Sequence, residues 1–385
     1  ASWVRVYLAN VTDPVPSPIV KSGSAVKLVD VAQVPASSGS PPLARTGLLY
    51  HSRDGTGRLF VNDMRGTFYV IDSGVITPYL DIAALHANVV DSPLRGTGFG
   101  GFAFHPEFAA NRKFYTSHTE LPDSVVPDFD SVSPVTPVVH SVVKEWTADD
   151  AFTNEFSGTS REILRISQPT FGHAVQEIGF NPNASPTNAD YGMLYIAAGD
   201  GSTGTEGEFT DDPQSMSTPH GSILRIDPMD TNSANGEYGI PVDNPFANDA
   251  DTNTLGEIWT YGFRNPHRFS WDTGGDGKML IADIGQHNLE EVNLGGAGLN
   301  YGWNVREGTF LFDTNNTASV FPPPTNDAAL GFTYPVAQYD HDEGFAIVGG
   351  FVYRGATIPP LLGQYVFGDI VNGRIFYTDA DSLTQ

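Results

Sequence analysis

The 385-residue sequence predicts an all-β fold, a β-propeller of about six blades built from four-stranded antiparallel units, on three observations. A short β-rich phrase returns five times: Arg58-Leu59-Phe60-Val61, Lys113-Phe114-Tyr115-Thr116, Met193-Leu194-Tyr195-Ile196, Lys278-Met279-Leu280-Ile281 and Gln364-Tyr365-Val366-Phe367, with starts 55, 80, 85 and 86 residues apart. Gly 41 and Pro 28 together put too many helix breakers into the chain for a helical bundle. Several phrases also run through a polar turn into a second strand, which is hairpin grammar. A propeller blade of four short strands takes about 40 to 50 residues, and longer loops stretch that spacing. A pair of β-sandwiches is the alternative reading of the same pattern.

In chain order, residues 4–8 and 26–31 read as N-terminal strands, separated and followed by linker-like stretches at 13–18 and 35–42. Asp54-Gly55-Thr56-Gly57 turns the chain into the first phrase, and Met64-Arg65-Gly66 turns it again into Thr67-Phe68-Tyr69-Val70-Ile71. Residues 81–89 are the best candidate for a short helix. Residues 122–137 form a Pro-rich loop, after which strand phrases resume. Asp190-Tyr191-Gly192 and Asp276-Gly277 introduce the third and fourth phrases. Residues 321–326 form another loop, and Val371-Asn372-Gly373 joins the last phrase to Arg374-Ile375-Phe376-Tyr377. No linker divides the chain, so residues 1–385 form one propeller domain, with 1–44 helping to close the ring around a core at 45–378.

Composition narrows the function. Lys plus Arg 20 against Asp plus Glu 45 gives a net charge of −25, a field that repels phosphate backbones and anionic lipid heads, so nucleic acid is excluded as partner. The same self-repulsion predicts a monomer or weak dimer. No apolar run reaches the roughly 18 residues of a membrane span. Zero cysteines exclude disulfides, thiolate metal sites and a cysteine nucleophile.

Ten phrases in order carry a resemblance. Asp54-Gly55-Thr56-Gly57-Arg58-Leu59-Phe60-Val61, Gly101-Phe102-Ala103-Phe104-His105-Pro106 and Leu194-Tyr195-Ile196-Ala197-Ala198-Gly199-Asp200-Gly201 come first. His220-Gly221-Ser222-Ile223-Leu224-Arg225-Ile226-Asp227, Tyr238-Gly239-Ile240-Pro241 and Gly262-Phe263-Arg264-Asn265-Pro266 follow. Asp283-Ile284-Gly285-Gln286, Glu290-Glu291-Val292-Asn293, Asn300-Tyr301-Gly302-Trp303 and Gly350-Phe351-Val352-Tyr353-Arg354-Gly355 close the series. In this order the chain resembles the soluble glucose/sorbosone dehydrogenases, quinoproteins that use pyrroloquinoline quinone (PQQ) and whose relatives include the propeller of Hedgehog-interacting protein. The resemblance implies a six-bladed propeller and a secreted or periplasmic protein whose signal peptide has been removed. It also implies a sugar substrate oxidised at its anomeric carbon, and an external electron acceptor.

Such an oxidation needs a base for the hydroxyl proton, an electron acceptor and positive charge for the reduced quinone. The resemblance assigns the base to His173, whose imidazole is largely neutral at pH 7, and its orienting carboxylate to Asp200. It assigns the stabilising guanidinium to Arg264, beside Asn265. Arg264, Asn265, Arg354 and Arg374 are the implied cofactor ligands. The backbone carbonyls of Gly285 and Gln286 are the implied Ca²⁺ ligands, since carbonyl oxygens suit a hard cation. The acidic loop Asn248-Asp249-Ala250-Asp251-Thr252-Asn253 lacks the Gly and distal Glu of a calcium loop and reads as solvated.

The chain departs from the family pattern after the base. Family enzymes follow it with small residues, whereas here Ala174-Val175-Gln176 stand. The segment Arg95-Gly96-Thr97-Gly98 also lacks the amide or carboxylate that contacts sugar in relatives. A second reading therefore stands beside the enzyme: a non-catalytic, calcium-stabilised propeller that binds carbohydrate or protein.

Overall fold

The computed structural model describes residues 9–93, 96–132, 136–201 and 210–385. Among them the chain is all-β apart from single-turn helices, and it forms antiparallel meanders in sequence order. The first sheet is β1 (Thr46–His51), β2 (Leu59–Asp63), β3 (Thr67–Asp72) and β4 (Val75–Asp81). The second is β5 (Phe99–Phe104), β6 (Lys113–Glu120), β7 (Val139–Ala148) and β8 (Gly158–Gln168). The third is β9 (Glu177–Phe180), β10 (Leu194–Ala198), β11 (Ser222–Ile226) and β12 (Ile258–Tyr261). In the fourth, β13 (Pro266–Trp271), β14 (Met279–Asp283) and β15 (Leu289–Leu294) are completed by β19 (Ala337–Asp340). A small sheet of β16 (Arg306–Glu307), β17 (Phe310–Phe312) and β18 (Val320–Phe321) sits in the β15–β19 connection. The last sheet has β20 (Ile347–Val352), β21 (Gln364–Asp369) and β22 (Ile375–Asp379).

The recurring sequence phrase falls on the second strand of five sheets: β2, β6, β10, β14 and β21. The reason is packing. A second strand is covered on both faces by the neighbouring sheets, so all five residues of β10 are buried and its sequence is a continuous apolar run rather than an alternating one. Four apolar clusters fill the four interfaces between consecutive sheets. Phe60, Phe68, Phe102, Phe114 and Trp146 join the first to the second, and Tyr115, Leu164, Ile178, Leu194 and Leu224 the second to the third. Ala197, Ile223, Phe269 and Ile281 join the third to the fourth, and Leu280, Val292, Ile347, Tyr365 and Phe367 the fourth to the last. The first strands β1, β5, β9, β13 and β20 line one central cavity.

Among the described residues five sheets reach this cavity. The expected N-terminal strands do not add to them: residues 4–8 lie outside the described residues, and residues 26–31 form no strand, with Leu28 and Val29 exposed. The N-terminal segment instead straps the fourth and last sheets to the first. The Val15 and Ile19 amides donate to Asp340 and Glu343, Ser22 meets the Tyr377 hydroxyl, and Ala32 and Val34 pack on Val61, Tyr69 and Ile71. The helix expected over 81–89 shortens to α1 (Ile82–Leu85), capped by the Asp81 carboxylate on the Ala84 amide. No helix of the described residues is long and apolar enough to cross a membrane.

Candidate active site

Loops that precede a first strand or follow a second strand emerge at one end of the stack. Pro266, the first residue of β13, faces Asp283, the last of β14, so Arg264 and Gln286 share that end. His173, just before β9, and Asp200, just after β10, meet there for the same reason, since β9 and β10 pair Glu177 with Ala197. His173 Nδ1 lies 2.6 Å from Asp200 Oδ1. A carboxylate accepts, so Nδ1 carries the hydrogen and Nε2 is the basic nitrogen of the neutral ring. Trp303, just before β16, donates its indole Nε1–H to Asp200 Oδ2 at 2.9 Å. The Asp200 amide donates to the Arg264 carbonyl at 2.8 Å, tying the third sheet's loop to the next.

Two backbone features hold the histidine. Its φ is +51°, in the left-handed region that non-glycine residues seldom occupy, and such strain persists only where its surroundings impose it. Gly199 packs directly on it: a Cβ there would lie 2.5 Å from the His173 carbonyl oxygen and 2.7 Å from its Cβ. The Ala197-Ala198-Gly199-Asp200 phrase thus ends in glycine because the histidine backbone occupies that space. Val175 and Gln176, the departures after the base, do not crowd the cluster. Val175 is packed in the core between the second and third sheets, and Gln176 reaches with its amide to the Gly96 carbonyl.

The Arg264 guanidinium lies 5.7 Å over the Trp303 ring, a cation–π contact. Its Nε and Nη2 donate to Gln286 Oε1, at 2.8 and 2.5 Å, and Nη1 to the Ile284 carbonyl at 2.9 Å. The Arg264 and Asn265 amides are anchored on the Asp283 carboxyl at 3.0 and 2.6 Å. Asn265 is buried, and its side-chain amide has no hydrogen-bond partner among the described residues. The amides of Gln286, His287, Asn288 and Leu289 all turn toward Glu307 Oε1, at 2.8 to 3.2 Å. In planar trans peptides this points the carbonyls of Gly285 and Gln286 away from Glu307. Beneath the loop, burial and the nearby Glu291 push Asp283 well above the usual carboxylate range. Burial likewise raises Glu290, and lifts Glu291 to about 7. Among the described residues no group of three or more His, Cys, Asp or Glu side chains is arranged to hold a metal ion. The 248–253 loop is exposed, with its Asp249 and Asp251 carboxylates engaged in local turns.

Two expected ligands are held by other partners. Arg354 follows the first strand β20 and is paired at 2.8 Å with Asp272, which follows β13. Arg264 precedes that six-residue strand, so about 20 Å of β-strand separates the two ends, and Arg354 is not part of the cluster. Arg374 stands in the β21–β22 turn at the His173 end of the fold, but its guanidinium is held by Glu343 and bonds none of the clustered residues. Conversely, the sequence phrases contained Trp303 and Gln286 without revealing that their side chains organise Asp200 and Arg264. An indole and an amide in Gly-flanked turns were the only signal.

The family description Glucose / Sorbosone dehydrogenase matches residues 49–385. The chain is 29% identical over 371 residues to HIPL1 protein of Arabidopsis thaliana, covering 84% of this chain and 50% of that one. It is 28% identical over 346 residues to human Hedgehog-interacting protein, covering 87% and 42%. It thus spans about half the length of these curated relatives. Among solved structures, the PQQ-bound form of aldose sugar dehydrogenase from Streptomyces coelicolor shares the fold with a TM-score of 0.57 and 22% identity, over 87% of this chain and 78% of that one. With the match running through every sheet that builds the site, the chain belongs to the glucose/sorbosone dehydrogenase family.

Proposed function

We propose that this protein is a PQQ-dependent sugar dehydrogenase that oxidises an aldose at its anomeric carbon with His173 as base. The observation that carries the proposal is the His173–Asp200 pair, with Trp303 on the second carboxylate oxygen. Asp200 fixes the tautomer so that Nε2 accepts the proton of the anomeric hydroxyl, and its charge stabilises the imidazolium that forms. When bound, PQQ supplies the two-electron acceptor for the hydrogen on the anomeric carbon, and Ca²⁺ polarises it.

The residues present fit that group. Asn265 offers a side-chain amide that bonds no described residue, and Arg264 uses three of its five N–H groups inside the protein. Arg264 and Asn265 would hold the quinone, and the Gly285 and Gln286 carbonyls would hold calcium. Arg264 stays fixed by Gln286 and Ile284, so its charge is in place before negative charge develops. The proposal includes the six-bladed ring of the family, a secreted or periplasmic location, and an external acceptor that reoxidises the cofactor.

The relatives named HIPL1 and Hedgehog-interacting protein favour a second reading, a propeller that binds a partner without catalysis. Adding Ca²⁺ and PQQ to the apo protein and following dye-linked aldose oxidation separates the two. Saturable quinone binding with turnover supports the enzyme. Absence of binding at every calcium concentration leaves the binding protein.

A further inference from the structure

The central cavity opens at the end of the fold opposite His173. His173 and Arg264 precede the first strands β9 and β13, whereas Arg53, Pro182 and Thr273 at the cavity mouth follow first strands. Its volume is about 340 Å³, within the roughly 300 to 1,000 Å³ of small-molecule sites. Tyr50, Phe102, Phe180, Phe269, Trp271 and Phe351 wall it, one or two from each of five sheets. At its inner end stands Glu177, 4% exposed at a side chain, with no hydrogen bond to Oε2. The nearest cation, Arg268, keeps its Nε 3.5 Å from that oxygen and spends Nη1 on the Gln176 and His267 carbonyls.

We propose that this cavity binds a small neutral aromatic alcohol, with its ring against the aromatic walls and its hydroxyl on Glu177. A buried carboxyl oxygen that makes no hydrogen bond is costly, and a ligand hydroxyl supplies the missing one. The surroundings select a neutral ligand: an ammonium would meet Arg268 inside and Arg53 at the mouth, and a carboxylate would lose its water to aromatic walls while Arg268 is already engaged by Glu177 and the Gln176 and His267 carbonyls. Burial holds the Glu177 carboxyl up to about 8, so at neutral pH it is largely protonated and suits a hydroxyl as both donor and acceptor. A sugar is disfavoured by the wall itself. Ser270 already bonds the Gly350 carbonyl at 2.7 Å, and the aromatic rings leave most sugar hydroxyls unpaired. The site shares no residue with the His173 cluster, so it stands whether or not the chain is an enzyme.

Titrating 2-naphthol into the full chain by calorimetry and ligand-observed NMR tests the site. The expected result is saturable binding, weaker by about tenfold for naphthalene, which lacks the hydroxyl. Glu177→Gln should keep affinity within about threefold, because a neutral amide also donates and accepts, while Glu177→Leu should behave toward 2-naphthol as wild type does toward naphthalene. Should Glu177→Leu fail to fold, Thr273→Trp at the exposed mouth still decides, since it should block binding without touching the core. No saturable binding, binding unaffected by Thr273→Trp, or tighter binding of 2-naphthylmethylamine than of 2-naphthol would each overturn the proposal.

Discussion

Trp303 donates its indole hydrogen to Asp200 at 2.9 Å, across 103 residues of sequence, on the carboxylate oxygen that His173 does not use. Both carboxylate oxygens are thereby engaged, and the imidazole ring is oriented with them. The same indole lies under the Arg264 guanidinium. One side chain therefore sets the relative position of the His173 imidazole and of the positive charge, and each part of the arrangement can be removed separately.

His173→Ala should lower kcat for aldose oxidation by the roughly 10² to 10⁴ typical of losing a general base, with quinone affinity retained. Asp200→Asn should cost less, because the amide oxygen still orients Nδ1–H but no longer stabilises the imidazolium. Steady-state kinetics with a dye acceptor, beside a cofactor titration, distinguishes these outcomes. Unchanged turnover in His173→Ala removes that residue from the chemistry.

Trp303→Phe keeps a ring beneath Arg264 and deletes only the donor to Asp200. Loss of one charge-assisted hydrogen bond, about 1.5 to 3 kcal/mol, should lower the melting temperature by several degrees and, with the imidazole less firmly oriented, lower kcat about tenfold or more. Trp303→Ala should add a loss of cofactor affinity, since Arg264 then has no ring beneath it. Equal effects of the two variants on every parameter would argue against separate roles for donor and ring.

Gly199→Ala places a methyl 2.5 Å from the His173 carbonyl oxygen, and neither backbone can yield without moving the other. A destabilisation of about 1 to 3 kcal/mol is expected, as for other overpacked sites, together with loss of the His173–Asp200 geometry. Urea unfolding measures the first effect and activity at full folding the second. A variant as stable and as active as wild type would show that the loop has slack.

Much of this was legible in the sequence. The repeated phrase marked the second strand of each cavity-lining sheet because double-sided burial demands an unbroken apolar run. His173, Asp200, Arg264 and Gln286 lie in loops that precede a first strand or follow a second, so strand parity puts them at one end. Arg354 was misplaced by the same logic left unapplied: it follows a first strand, and its loop must emerge at the far end. Residues 26–31 are apolar enough for a strand, but they pair with no sheet and lie exposed. Trp303 was illegible because its partner is fixed only by tertiary packing.

Stability should fall as pH rises through neutrality, the reverse of a protein held by surface carboxylates. Burial raises Glu291 from an ordinary carboxylate value to about 7, and Glu177 to about 8. Between the unfolded and folded pKa values the native state binds more protons, so this contribution is complete below about pH 4.5 and lost through pH 7 to 8. Below about pH 6.5 the buried His118, His220 and His267, whose pKa values burial lowers, oppose this trend, so the melting temperature should drop by a few degrees from pH 6.5 to 8.5. Glu291→Gln, neutral throughout, should flatten the part of that slope below about pH 7 and leave the part up to about pH 8, which belongs to Glu177. A melting temperature that rises across the interval contradicts the assignment.

Cofactor capture is the sharpest test, because PQQ is a tricarboxylate and the chain carries a net charge of −25. Long-range repulsion must be reversed locally, and at the His173 end of the fold the cluster supplies Arg264 and the carbonyls of Gly285 and Gln286 that turn away from Glu307, to which a divalent ion would add two charges. Arg264→Ala should weaken quinone binding by about 1.5 to 3 kcal/mol, the worth of a charged hydrogen-bonded pair. Arg264→Lys should recover only part of this, since an ammonium cannot reproduce the fork that grips Gln286 and Ile284. Chelation should release the quinone from the wild type. Arg354→Ala is the internal control: paired with Asp272 about 20 Å of strand away, it should leave quinone affinity unchanged. Equal losses for Arg264→Ala and Arg354→Ala would mean that the quinone binds outside the cluster around Asp200.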